Sequence, residues 1–336
     1  MRLKKIYPTE RYGKFANLQE LVSSSAMRFG DKPLYKYFDA DGQIREMSYC
    51  TFGNATRALG TALAARGLLG KRNAILSESR PEWMVVYVST IGGGGVTVPL
   101  DRELQTEQIR NILFSAPYEK ALLEMAPELP GVRAFIAFDE TSETWPPELA
   151  GRLLSYRRMV EDGQEMYENG NDAYTSAKVD VYAMSAIIFT SGTTGTSKGV
   201  MLSHDNLLEC IRASANMVNF SSRDVLLSVL PLHHTYETCC GMLTPICIGA
   251  TVCINNSLKY VVRNMNIFRP TGMILVPLFV STIYKKICDE VRKKGKEKLL
   301  ARGIAVTKMV RKVGIDLRKP VFAELRRGLG GRLSKI

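Results

Sequence analysis

A chain of 336 residues with 46% hydrophobic and 23% charged side chains is long enough for more than one hydrophobic core and too apolar to be disordered. Its net charge of +12 is unevenly placed: residues 285–335 hold 17 Lys/Arg against 5 Asp/Glu, so that segment accounts for the whole excess and the rest of the chain balances. The most apolar region, 225–255, is interrupted by His233, His234 and Glu237, which excludes a membrane-spanning reading.

The basic N-terminus lacks the apolar stretch and small-residue cleavage site of a secretory leader, so a cytoplasmic location is expected. Seven cysteines form an odd set with no Cys-x-x-Cys pair. That pattern argues against a disulfide framework and a zinc site, and no metal-ligand set is expected. The basic segment has neither a nucleic-acid module nor interleaved aromatic residues, so no nucleic acid is expected. It reads as a solvated helical face, or as a peripheral contact of residues 285–335 with anionic headgroups at a membrane.

In chain order, residues 18–29 read as a helix, and 34–38 and 44–49 as strands joined by the Asp39-Ala40-Asp41-Gly42 turn. Thr51 is the expected N-cap of a helix over 55–66. A strand at 72–76, a helix opened by Pro81 and carried by 84–91, and a strand at 96–100 make a β-α-β unit. Gly92-Gly93-Gly94-Gly95 follows a helix and precedes a strand, the reverse of what pyrophosphate binding requires, so it reads as close helix–strand packing. Further on, 104–114 is expected as a helix, 121–123 and 132–137 as strands, residues around Trp145-Pro146-Pro147 as a surface loop, and polar 161–180 as a linker. Beyond it come strands at 225–230, 250–254 and 273–276, helices at 236–248 and 257–268, and a long basic helix after Pro277. Such alternation predicts an α/β fold of predominantly parallel sheets covered by helices, in two similar subdomains, 1–180 and 181–336.

The densest chemistry lies in Thr190-Ser191-Gly192-Thr193-Thr194-Gly195-Thr196-Ser197-Lys198-Gly199. It follows an apolar strand pattern and precedes a short strand and a helix over 206–217. Glycines let backbone N–H groups turn toward an anion, hydroxyls add donors, and Lys198 brings a mobile positive charge, so the run is expected to grip phosphate. It is not a Walker A loop: counted from Gly192, the second glycine is Ser197 and the magnesium-binding hydroxyl is Gly199. A second cluster, Leu230-Pro231-Leu232-His233-His234-Thr235-Tyr236-Glu237, joins a strand end to a helix start, where open α/β sheets bind ligands. Neighbouring side chains of an extended segment diverge, which argues against shared metal ligation by the two histidines.

The first run resembles the signature of the adenylate-forming (AMP-binding) superfamily, roughly Thr-Ser-Gly-Thr-Thr-Gly-x-Pro-Lys-Gly, with Ser197 in place of proline. Arg80-Pro81-Glu82-Trp83 through Pro99-Leu100-Asp101, the segment 230–237 and Tyr284-Lys285-Lys286 are similar to long-chain fatty acid–CoA ligases in particular. The resemblance covers essentially the whole chain. It implies the N-terminal part of the acyl-CoA synthetase-like fold and an AMP-forming acid–thiol ligase acting on a carboxylic acid, with ATP, Mg2+ and CoA.

On that resemblance Lys198 and Thr193 are the catalytic candidates. Thr190, Ser191, Gly192, Thr193, Thr194, Gly195, Lys198 and Gly199 bind the phosphates, and His234 and Tyr236 line the acyl pocket. The family's adenine and ribose motifs, hinge and C-terminal domain have no counterpart here. The chain is therefore expected to be an N-terminal portion, inactive alone. The alternatives are a domain that loads an amino or aryl acid on a carrier protein, and a catalytically dead nucleotide-binding module.

Overall fold

The chain divides into two units, Met1–Arg223 with Pro231–Ile254, and Asp224–Leu230 with Asn255–Ile336. A computed structural model describes residues 12–100, 109–191 and 197–336.

The first unit opens with α1 (Leu18–Phe29), whose cap is the Asn17 side chain, accepting from the Glu20 N–H. Strands β1 (Pro33–Phe38) and β2 (Ile44–Ser48) pair antiparallel as the turn signal predicts. Next comes α2 (Tyr49–Ala65), and its N-cap is Ser48, whose hydroxyl accepts from the Thr51 N–H; the expected cap at Thr51 lies a turn inside the helix. The β-α-β unit follows as β3 (Arg72–Leu76), α3 (Pro81–Gly92) and β4 (Val96–Pro99), with β3 and β4 parallel. A Cβ at Gly95 would stand 2.7 Å from the Lys71 carbonyl oxygen and 3.0 Å from that of Thr90, so this glycine serves close packing.

Two short apolar runs reverse their expected types. Residues 111–114, expected as the end of a helix, are strand β5 (Asn111–Phe114), hydrogen-bonded between β3 and β6 (Ala134–Ala137); the start of that expected helix, 104–108, lies outside the described residues. Residues 121–123 belong to helix α4 (Glu119–Met125). An apolar run of four has no readable period, so its neighbours decide its type. Trp145, expected on a surface loop, is buried between Phe114 and Phe135 and donates its indole N–H to Glu119 at 2.8 Å. Helix α5 (Pro147–Ala150) and strand β7 (Leu153–Ser155) follow.

The expected linker over 161–180 is largely α6 (Tyr156–Glu168) and a buried anchor, Tyr174. Gly163 lets α6 rest on α2, since a Cβ there would lie 2.0 Å from the Ala58 carbonyl oxygen. Gly60 and Gly92 make room for Tyr174, whose ring carbons would be 2.2 Å from a Cβ at Gly60. Polarity on α6 marks one wet face, with Arg66 paired to Asp162 at 2.8 Å, and does not mark a loop.

Strands β8 (Met184–Ser191) and β9 (Ser197–Ser203) complete a seven-stranded sheet of order β7-β6-β5-β3-β4-β8-β9. All neighbours are parallel except β8 and β9. The expected subdomain boundary at 180/181 falls inside this unit, where β8 joins the sheet beside β4 at Thr97↔Ala186. Helix α7 (His204–Met217) leaves β9. The unit also holds a π-helical segment, Glu237–Leu243, then α8 (Thr244–Ile248) and a strand, Thr251–Ile254, which pairs parallel with β1.

The second unit begins with β10 (Val225–Ser228); the Thr251–Ile254 strand of the first unit is β11. Helix α9 (Val261–Phe268) leads to β12, only Gly272–Met273, parallel to β10; the expected 273–276 strand is cut short as the chain turns toward Pro277. The end of the chain returns to β12 through one parallel bridge, Gly272↔Lys335. Lys335 holds buried Asp224 at 2.7 and 2.8 Å, and Asp224 also accepts from the Thr271 hydroxyl. The rest is helical: α10 (Pro277–Lys293), α11 (Glu297–Arg311), α12 (Arg318–Val321) and α13 (Ala323–Gly328). Among the described residues no helix is long and apolar enough to cross a membrane.

Candidate functional site

The signature run joins β8 to β9: its first two residues end one strand and its last three begin the other. β8 rises beside β4 and returns as β9, with Phe189 opposite Gly199, Thr190 opposite Lys198 and Ser191 opposite Ser197. Directly opposed residues of an antiparallel pair share a face, so the Thr190 hydroxyl and the Lys198 ammonium stand side by side at the hairpin's last rungs. Both side chains are exposed to solvent. Gly199 sits over the apolar face of β8: a Cβ there would come within 3.1 Å of Ile187 and 3.5 Å of Phe189. Four predicted phosphate-binding residues, Gly192, Thr193, Thr194 and Gly195, lie outside the described residues, as does the side chain of Ser191.

The hairpin's exit is fastened twice. The Ser203 hydroxyl accepts from the Asn206 N–H and the Asn206 side chain accepts from the Ser203 N–H, a reciprocal capping box that fixes where β9 becomes α7. His204, the first residue of α7, is fully buried, and its Nε2 accepts from the Leu18 N–H at 2.8 Å. Burial lowers its pKa to about 4, with only a partial counter-effect from Asp205, so the ring is neutral near pH 7. It therefore satisfies an N–H of α1's first turn while anchoring the hairpin. Sequence reading missed His204, since a histidine one residue past a cap carries no sign of burial.

The second cluster is a tight turn, not an extended segment. The His234 N–H bonds the Pro231 carbonyl at 3.1 Å, and the Thr238 hydroxyl closes on the Leu232 carbonyl. The turn brings the rings of His233 and His234 to 4.4 Å between centroids, so the expected divergence of the two side chains does not hold. His234 and Tyr236 are exposed, with Tyr236 at 52%. The expected regular helix after them starts as a π-helix, the wide turn that recurs at functional sites. Glu237, its first residue, is buried and packs on Gly241, where a Cβ would lie 2.7 Å from the carboxylate. Helix α7 links the two clusters: it begins at the hairpin's exit, and its Ser214 hydroxyl lies 3.5 Å from the Cys240 sulfur of the π-helix.

This geometry offers an exposed cation and a hydroxyl on paired strand ends, and an imidazole and a phenol at the start of a wide helix. The first set suits polyphosphate, as charge and hydroxyl donors without a carboxylate among them. Residues 22–334 match the family of AMP-binding enzymes. The chain is 30% identical over 327 residues to the peroxisomal long chain acyl-CoA synthetase 6 of Arabidopsis thaliana, covering 89% of this chain and 46% of that protein. It is 25% identical to the long-chain-fatty-acid–CoA ligase 5 of Mus musculus over 90% of this chain and 47% of that one. The chain thus spans about half the length of these curated relatives. Its fold superposes on the adenylation domain of a carboxylate reductase from Mycobacterium chelonae with a TM-score of 0.75, at 19% identity, over 95% of this chain and 53% of that domain. The chain belongs to the AMP-binding enzyme family.

Proposed function

We propose that this chain is the part of an AMP-forming acid–thiol ligase that grips the ATP phosphates and meets the acyl substrate. The supporting observation is the pairing of β8 with β9, which sets Lys198 opposite Thr190 on the strand ends that flank the Gly/Thr-rich run. In the proposed reaction one oxygen of an ionised carboxylate attacks the α-phosphorus of ATP. The bond from that phosphorus to the bridging oxygen breaks, and pyrophosphate leaves with the negative charge. Lys198, the Thr190 and Thr193 hydroxyls and the backbone N–H groups of the turn stabilise that charge. Mg2+ would neutralise further phosphate charge. No general base is needed, because a carboxylate is already ionised near neutral pH. A thiol, that of CoA in this reading, then attacks the acyl carbon through sulfur, the acyl C–O bond to AMP breaks, AMP leaves, and the thiol proton passes to solvent.

A long-chain fatty acid is the proposed substrate, in keeping with the long-chain ligases among the relatives. In this reading His234 and Tyr236 line the acyl pocket and contact the substrate. Carboxylate-dependent exchange of pyrophosphate into ATP, run from acetate to palmitate and with aryl and amino acids, tests the assignment. Exchange confined to long-chain acids is expected from the full-length protein. Exchange confined to aryl or amino acids would favour instead a domain that loads such an acid on a carrier protein. A folded full-length protein that retains MgATP yet exchanges with no acid would leave only a nucleotide-binding module.

A further inference from the structure

The second unit contains an open cavity of about 550 Å3, framed by α9, α10, α11, α12 and α13, within the roughly 300–1,000 Å3 typical of small-molecule sites. Its wall is aliphatic and aromatic, with Ile283, Ile287, Leu300, Val306, Phe322 and Leu325 among the residues facing it. Charge is confined to six further residues of the lining, Lys286, Glu290, Lys294, Lys296, Arg302 and Glu324. Both carboxylates are already engaged. Glu324 takes Lys296 at 2.9 Å and Lys294 at 3.8 Å, and Glu290 takes Lys293 at 3.7 Å. Lys286 and Arg302 have no ion pair among the described residues.

An apolar cavity edged by two uncompensated cations fits one class of ligand. The wall gains from covering a hydrocarbon tail, because each methylene it covers leaves water. The cations gain from a single anionic head and would repel a cationic one. A polar nucleotide would leave the wall dry, and a neutral hydrocarbon would leave the cations unused. We infer that this cavity binds a single-chain anionic amphiphile, a medium- or long-chain carboxylate, as a monomer, with its tail between α10 and α11 and its head at Lys286 and Arg302. All of the lining residues belong to the second unit, whereas the phosphate-binding hairpin belongs to the first. Occupancy of the cavity therefore does not depend on whether the chain adenylates acids.

A reporter inside the cavity separates this site from any acyl pocket elsewhere. The two native tryptophans, Trp83 and Trp145, are buried in the first unit, so Phe322→Trp places the one indole that a ligand in the cavity can quench. Titration of that variant with doxyl-labelled dodecanoate, below its micellar concentration, is expected to quench the new fluorescence to saturation. Lys286→Glu and Arg302→Glu, both exposed and so neutral to folding, are each expected to weaken the titration about tenfold, the size of one charge-assisted contact. A doxyl-labelled trimethylammonium amphiphile of the same tail length should bind at least tenfold more weakly than the carboxylate.

Equal quenching by the anionic and cationic amphiphiles overturns the proposal, and so does no quenching at all. Quenching by doxyl-labelled anionic vesicles without quenching by the monomer also overturns it, in favour of a membrane surface. Lys198→Ala in the same background of the full-length protein should leave the titration unchanged while lowering ATP–pyrophosphate exchange about 10²–10³-fold. A failed exchange assay with an intact titration therefore counts against the ligase reading alone.

Discussion

Helices α3 and α10 are built from similar material and end in opposite circumstances. Both open with proline at the first turn and both carry an apolar face. In α3 every residue but Glu82 is buried, whereas in α10 only Val291 is. In the first unit the helix fills the space between sheet and neighbouring helices. In the second, α10 and α11 meet each other along one side and show Leu278, Tyr284, Leu299 and Met309 to solvent. Burial, not helix propensity, supplies most helical stability in a folded protein. The two units should therefore answer differently to the same kind of truncation, and the second has apolar surface left with which to bind.

The largest effect is expected at Trp83, which is 1% exposed and stacks on Tyr87 at 5.3 Å with an interplanar angle of 13°. Trp83→Ala should cost about 3–5 kcal/mol in urea unfolding, through lost burial plus the cavity left behind. A cost under about 1 kcal/mol would show that α3 is not the packed centre that its burial implies.

Lys198 tests the opposite property, an exposed side chain to which the proposed reaction gives a chemical role. Lys198→Ala should leave the urea midpoint unmoved. In the active full-length protein it should lower exchange by about 10²–10³-fold, the usual effect of removing one donor to developing charge. If exchange persisted at the parental rate, Lys198 would not be the group facing the departing pyrophosphate.

His204 makes the first unit sensitive to acid. Its pKa is about 4 folded and 6.5 when solvated, so the unfolded chain takes up the proton first. The stabilisation is present above pH 6.5 and is lost as pH falls toward 4, by about 2 kcal/mol at pH 5. Comparing unfolding at pH 7 and pH 5 in the parent and in His204→Gln isolates this contribution. The variant should show a smaller difference than the parent; equal differences would mean that other groups carry the acid response.

How much of this was legible in the sequence depended on segment length and on contact. Helix α1 and strand β3 agree with their expected ranges because period, caps and flanking turns all point one way. The hairpin could be read because a Gly/Thr-rich run between a strand pattern and a capped helix has few other structural meanings. The type of β5 and α4 was not legible, since runs of three or four residues carry no period. Nor was the role of α6, whose seat on α2 is decided by Gly163 meeting the Ala58 carbonyl, a contact between residues 105 positions apart. The ring-to-ring approach of His233 and His234, the π-helix after them and the burial of His204 depend on turn geometry and tertiary cover, which composition does not encode.

The smallest effect closes the comparison. Leu299 on α11 is 65% exposed and lines the cavity. Truncation at a surface position removes little buried area, so Leu299→Ala should shift unfolding by no more than about 0.5 kcal/mol without ligand. With dodecanoate present the balance changes: any ligand that binds only the folded state stabilises it, by about 2.7 kcal/mol at a hundredfold excess over its dissociation constant. Removing part of the wall should reduce that increment more than it reduces the unliganded stability. Thermal unfolding of parent and variant, with and without dodecanoate, separates the two. A larger loss without ligand than with it would mean that Leu299 supports the packing of α11 and that the comparison between the two units had been drawn too sharply.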